Sequence, residues 1–95
     1  MEKRTYQPLN VLNVMRGFQH RDLPHAVTPY RFETPTGERH RIIEIRQVHR
    51  ERVGKVFHYH YVVKTEDQRY FHLVFDSGIL AWKLVQEVDE ELFFS

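Results

Sequence analysis

The chain has 95 residues, of which 41% are hydrophobic and 14% aromatic, which suits one compact domain with a modest core and excludes two domains. It contains no cysteine, so a disulfide framework, a thiolate metal site and a cysteine nucleophile are excluded, and a cytoplasmic location is expected. The first residues lack an apolar signal core, and no run approaches the roughly 18 apolar residues of a membrane span. We therefore expect no membrane association.

The net charge of +1 conceals an uneven distribution along the chain. Residues up to Lys64 include twelve Lys or Arg and six Asp or Glu, whereas residues from Thr65 onward include two and seven. Neighbouring strands can bring both halves together, so a mixed, solvated surface is the simpler interpretation. A basic face is the alternative.

All four prolines lie before position 36, and we predict an irregular segment over residues 1–25. Within it, residues 9–15 fit neither template cleanly, and a short strand and a single-turn helix both remain open. Ala26 to Glu33 is predicted to be an edge strand because Pro29 has no N–H to donate to a ladder. Residues 34–38 are typical of a turn.

Two further strands follow from the apolar pattern. In residues 39–49, Ile43 and Ile45 share one phase while Ile42 and Val48 share the other, which indicates a strand with a bulge or with both faces partly covered. Near the C-terminus, Leu80, Trp82 and Leu84 alternate with Ala81 and Lys83, which predicts a last strand that continues toward Val88.

The clearest element is a hairpin between residues 57–64 and 70–76, each with the period of two that is typical of a half-buried strand. Both apolar rows are odd-numbered, so facing residue numbers must sum to an even number. The preferred loop, residues 66–68, places Tyr61 opposite Leu73. A loop over residues 67–69 or a bulged four-residue loop is the alternative, since Gln68 is a costly occupant of the left-handed position that usually takes Gly.

These elements predict an all-β fold, a small antiparallel meander of five or six strands curled into a barrel or a strongly twisted sheet. The β domain is expected to cover residues 26–88 and to be followed by an acidic tail, residues 89–95. A monomer or a weak dimer is expected.

The stretch from Tyr61 to Leu84, YVVKTEDQRYFHLVFDSGILAWKL, resembles a pattern of small uncharacterised bacterial all-β domains: an aromatic-Val strand, a Thr-x-Asp turn, a Tyr-x-x-Leu-x-x-Asp strand and Trp-x-Leu. These domains have no agreed activity. Some of them occur beside or within DNA-repair polymerases, so the resemblance implies a nucleic-acid context without assigning any residue. The sequence departs from the pattern at Gln68, where a glycine is expected.

Positive charge is concentrated between residues 39 and 55, next to aromatic strands. Small β-barrels bind single-stranded nucleic acid with a basic groove and stacking rings, so the leading hypothesis is a non-catalytic module that binds single-stranded nucleic acid, with His40 and His49 strengthening binding at low pH. The predicted contacts are Arg39, Arg41, Arg46, Arg50, Arg52 and Lys55. The alternative is a protein-interaction adaptor that uses a sheet edge or the apolar Leu92, Phe93 and Phe94.

Three histidines make a metal site a third hypothesis. His58 and His60 lie on one face of a strand, and the preferred register places His72 diagonally across from His60, with Asp76 opposite His58 as an orienting partner. Histidine is also an ordinary occupant of a solvated strand face, so we predict no metal and no cofactor. Ser77 lies in a turn rather than in a strand-to-helix elbow, and the sequence therefore predicts no catalysis.

Overall fold

The computed structural model describes residues 6–89, which form an all-β barrel without a helix. Six antiparallel strands follow one another around the barrel and close between the first and the last. Their bounds are β1 (Gln7–Met15), β2 (Val27–Glu33), β3 (Arg39–Val53), β4 (Val56–Thr65), β5 (Tyr70–Asp76) and β6 (Ala81–Val88). The predicted fold class is confirmed. In this part of the chain no helix is long and apolar enough to cross a membrane.

The β4–β5 hairpin has the preferred register. Tyr61 lies opposite Leu73 in a ladder of seven pairs without a shift. The loop is closed by Thr65, whose N–H donates to the Arg69 carbonyl at 2.8 Å and whose carbonyl accepts from the Gln68 N–H at 3.0 Å. Gln68 occupies the left-handed region with φ of 64°. A non-glycine residue in this position is held there by the ladder on either side.

The first strand corrects the predicted irregular segment over residues 1–25. β1 begins at Gln7, so the β domain starts well before residue 26, and of the two alternatives for residues 9–15 the strand is the one found. Leu9 is buried opposite Trp82 of β6. Pairing β1 with both β2 and β6 closes the barrel and covers strand edges that would otherwise be exposed. The local sequence pattern of β1 does not show this stabilisation, because it comes from strands that are distant in the chain. Residues 90–95, including Leu92, Phe93 and Phe94, lie outside the described residues.

β2 behaves as an edge strand over only part of its length. It pairs with β1 along most of the strand, but with β3 only from Arg31 to Glu33. Pro29 lies in the part that pairs with β1 alone, where a missing N–H costs no hydrogen bond to β3. The prediction of an edge strand is therefore wrong for the strand as a whole and right for the stretch that contains the proline.

β3 confirms the predicted bulge and adds a second one. Its register against β4 shifts between Ile42 and Glu44 and again between Ile45 and Gln47. Each bulge moves the alternation by one residue, and Ile42, Ile45 and Val48 consequently all pack against the core. This spacing of three explains why the apolar residues of this strand occupy both phases in the sequence.

The barrel interior is filled mainly by aromatic rings. Trp82 lies between Tyr61 and Phe75, with ring centroids 5.2 Å and 5.1 Å away, and its indole N–H donates to Asn13 Oδ1 at 3.0 Å. The buried cluster consists of Leu9, Val27, Phe32, Tyr61, Val63, Phe71, Leu73, Phe75 and Trp82. Burial raises the pKa of Tyr61 to about 12, so its hydroxyl stays protonated and donates to the Val27 carbonyl.

Candidate functional site

The antiparallel order assigns the loops to the two ends of the barrel. The loop between β1 and β2, the turn of the β3–β4 hairpin and the loop between β5 and β6 lie at one end, and the two remaining hairpin loops lie at the other. The first end carries Arg16, Arg21 and Lys55 in these connections and only Asp22 as an acid. The loops of the opposite end contain Glu38, Glu66, Asp67 and Arg69. The loops at the first end therefore carry more positive charge than the loops at the opposite end.

The six basic residues predicted as a nucleic-acid site do not form one face. Side chains alternate along β3, and two of the predicted arginines already contact acids: the Arg39 guanidinium lies 2.7 Å from Glu33 and that of Arg46 lies 3.0 Å from Glu44. Arg41 lies opposite Arg31 of β2, far along the strand from Arg50. The structure therefore divides the predicted site into separate groups.

Arg50 and Arg52 share a face with the aromatic row of β4. Arg50 is the cross-strand partner of Tyr59, and Arg52 is the partner of Phe57. The Arg50 guanidinium carbon lies 4.5 Å from the centroid of the Phe57 ring, a cation–π contact. Both rings are half-buried and both arginines exposed. We call these four residues, which continue the inner surface of the barrel beyond its core, the hairpin mouth.

The hairpin mouth lacks negative charge on its own face. Among described residues, its face continues across β5 to Phe75, opposite Tyr59, and to Ser77, whose N–H donates to the Phe57 carbonyl. Glu51 and Asp76 are cross-strand partners of His58 and point to the opposite face. The two arginine charges of the mouth are therefore not neutralised by a carboxylate of these strands.

Four histidines gather on the outer face of β3, β4 and β5. His60 Nδ1 lies 2.9 Å from His72 Nε2, and His60 Nε2 lies 3.4 Å from Glu51. The His49 ring is stacked parallel to that of His60, with centroids 4.5 Å apart. Burial lowers the pKa of His60, although its hydrogen bond to Glu51 opposes that effect. Burial within the cluster therefore favours the neutral form of the His60 imidazole.

The three predicted metal ligands are only partly brought together. His60 and His72 meet as the register predicted, but their facing nitrogens share a hydrogen bond with each other. His58 instead pairs with Asp76 at 3.3 Å. Within residues 6–89 no group of three or more His, Asp or Glu side chains is arranged to hold a metal ion.

The position of His40 rules out its predicted role in strengthening nucleic-acid binding at low pH. Its side chain is buried inside the barrel, between the rings of Phe32 at 5.1 Å and Phe71 at 4.9 Å. A phosphate at the surface cannot contact it, so the expected pH effect is left to His49, which is exposed.

The sequence pattern missed two features of this surface. Phe57 and Tyr59 belong to the apolar row of β4, and Tyr59 packs against the core, yet both rings are only half-buried. Arg31 was not singled out, although the turn over residues 34–38 predicts by parity that it faces Arg41. Comparison with protein-family models, curated proteins and solved structures finds no match to this chain.

Proposed function

We propose that this protein is a non-catalytic binding module that holds single-stranded nucleic acid at the hairpin mouth. The observation that carries the proposal is the pairing of Arg50 and Arg52 with Tyr59 and Phe57 on one face without a carboxylate. Guanidinium groups next to aromatic rings are the combination that single-strand binders use, because rings stack on any base while the cations contact the backbone.

The binding mode follows from the position of the Phe57 ring. Arg50 covers one face of that ring, so a base can stack on the other face or displace the guanidinium, which then turns toward a phosphate. Tyr59 offers a second ring on the same row at a centroid distance of 6.5 Å. Because the rings can stack on any base and the arginines are proposed to contact phosphates, binding is expected to show little preference for sequence.

Salt dependence measures the electrostatic part of this proposal. Fluorescence anisotropy with a labelled oligothymidylate should give a dissociation constant that weakens with salt, with a log-log slope of about −0.7 for each neutralised phosphate. The variant Arg50→Glu, Arg52→Glu should lose most of the binding and lower the slope by about 1.4, the value for two phosphates. The matched control Arg31→Glu, Arg41→Glu has the same change in net charge on another surface and should bind as the unaltered chain does.

Stacking is tested separately. Phe57→Ala should weaken oligonucleotide binding about tenfold while leaving the salt slope unchanged, because a base stacked on an aromatic ring contributes about 1–3 kcal/mol. Absence of oligonucleotide binding even at low salt, or equal losses in both charge-reversal variants, would contradict the proposed site.

A further inference from the structure

A groove lies where β2 and β3 stop pairing. Their shared ladder has three pairs and ends at Arg31 and Arg41. Beyond this point β3 continues to Val53 with pairs to β4 alone, while the first half of β2 pairs with β1 alone. The resulting groove encloses about 460 Å³. It is lined by Leu12, Tyr30, Arg31, Arg41 and Ile42.

Two like charges meet at the closed end of this groove. Arg31 and Arg41 are direct cross-strand partners, and both are exposed. Like charges in that position repel each other. Two positions along the ladder, on the same face, Glu33 lies opposite Arg39, and its carboxylate accepts a hydrogen bond from the Arg39 guanidinium. No hydrogen bond or ion pair joins either guanidinium group to a residue from 6 to 89, so a carboxylate bound between the two would remove an unfavourable contact.

Large apolar side chains surround the two arginines. In the lining of the groove, Tyr30 is 41% exposed and Leu12 54%. Together with the backbone of β3 beyond Arg41, which has no β2 partner, these residues offer a strand edge, an apolar border and a cationic end within one groove. This is the set of features by which a sheet accepts an added strand: the backbone supplies hydrogen bonds, and alternate side chains supply specificity.

We propose that the β2–β3 groove binds an extended acidic peptide segment of a partner protein, which adds alongside β3 and places an Asp or Glu carboxylate between Arg31 and Arg41. Alternate residues of that segment are apolar and contact Tyr30 and Leu12. Charge complementarity selects this occupant over a second copy of the chain, because β3 is rich in arginine and self-pairing would oppose cations. The groove is separate from the hairpin mouth.

The probe is a labelled nine-residue synthetic peptide in which Glu alternates with Val and Thr, compared with a peptide that has Lys in place of Glu. Anisotropy at physiological salt should detect binding of the Glu peptide and none of the Lys peptide. Arg31→Glu, Arg41→Glu should weaken binding of the Glu peptide at least tenfold, and Arg41→Gln should cause a smaller loss. The control Arg50→Glu, Arg52→Glu should retain full binding, which separates this result from the nucleic-acid test.

Backbone pairing has its own readout. Addition of the Glu peptide should slow amide hydrogen exchange in β3 beyond Arg41, and N-methylation of alternate peptide amides on the paired edge should abolish both binding and protection. Circular dichroism of each variant confirms that the barrel is intact.

Three outcomes overturn the proposal. The first is equal binding of the Lys peptide or no loss in the Arg31, Arg41 variant. The second is oligonucleotide binding that depends on Arg31 and Arg41, which would make the groove a nucleic-acid site. The third is a dimer, detected by light scattering, that the peptide dissociates, since a second copy would then be the occupant.

Discussion

Two strand contacts in this barrel, β4–β5 and β2–β3, differ in how completely they are paired. β4 and β5 share seven consecutive pairs without a shift, and large side chains face each other along the inner row. β2 and β3 share three pairs, two of which are charged on both sides. The first contact positions the core. The β2–β3 contact leaves unpaired backbone groups and charged side chains at the surface, where a ligand can add to the sheet.

The difference shows that a closed barrel need not be uniformly closed. A partly paired contact costs backbone hydrogen bonds that a water molecule or a ligand must then supply. Here part of that cost is met from inside, because the Tyr61 hydroxyl of β4 donates to the Val27 carbonyl of β2. The weak contact is thereby held by a side chain from across the barrel.

The largest expected effect is on the free energy of unfolding, when one aromatic ring is removed from the β4–β5 contact and, for comparison, one from the β2–β3 contact. Phe75→Ala removes a buried ring of β5 that packs against Trp82 and Tyr59, and should lower the free energy of unfolding by about 3–5 kcal/mol. Tyr30→Ala removes an exposed ring of β2 and should change it by less than about 0.5 kcal/mol. Urea denaturation followed by Trp82 fluorescence measures both. Similar losses in the two variants would show that the groove is part of the stable core.

A smaller effect is expected for the hydroxyl that spans the barrel. Tyr61→Phe keeps the buried ring but leaves the Val27 carbonyl without its donor, and should cost about 1–3 kcal/mol. Because the lost bond ties the first half of β2, amide exchange should accelerate in β1 and β2 more than in β4 and β5. Uniform acceleration would mean that the two contacts open as one unit. Phe57→Leu serves as a control because it changes a ring outside the core cluster.

The turn of the well-paired hairpin can be improved. Gln68→Gly should raise the free energy of unfolding by about 0.5–1 kcal/mol, since Gly adopts the left-handed region without the penalty that a side chain incurs there. Glu66→Gly in the same loop should not stabilise the protein, because no left-handed conformation is found at that position. Thermal melting distinguishes the two. Equal shifts would point to a general effect on loop flexibility.

The sequence was most informative where local pattern and long-range pairing agree. Parity restricted the β4–β5 register to a few alternatives, and the preferred one, with Tyr61 opposite Leu73, is the one found. The apolar pattern did not decide between a strand and a helix for β1. The position of β1 is decided by barrel closure, where it pairs with Trp82 of β6. The sequence of β3 indicated a bulge but not two of them. Two register shifts within one strand place apolar residues on both phases, as does a strand that is covered on both faces.

For the candidate sites, the sequence did not show which side chains share a face of the sheet. Composition located the arginines along the chain, but alternation and the two bulges of β3 decided which of them share a face. Arg50 and Arg52 therefore lie with Phe57 and Tyr59, whereas Arg39 is bound to Glu33. The diagonal meeting of His60 and His72 followed from the register, while the hydrogen bond that joins their nitrogens depends on ring orientation, which no pattern encodes.

The smallest expected effect is a pH dependence that originates on the outer face of the well-paired strands. Burial lowers the pKa of His60 below its ordinary value of 6.5, so the unfolded chain binds this proton more readily than the folded one. Between the folded-state pKa and 6.5, stability therefore falls as pH falls, and the contribution is constant above that range. Protonation of both His60 and His72 also removes the acceptor from their shared hydrogen bond.

Urea denaturation at pH 7.5 and pH 5.5 measures this loss, and the variant His60→Gln should show a smaller difference between the two pH values than the unaltered chain. His20→Gln is the matched control, because His20 is exposed in the loop between β1 and β2 and should keep the full difference. The readout has a direction as well as a size: if His60→Gln steepens the loss of stability at pH 5.5, then Glu51 stabilises a protonated His60 in the folded state by more than burial opposes it.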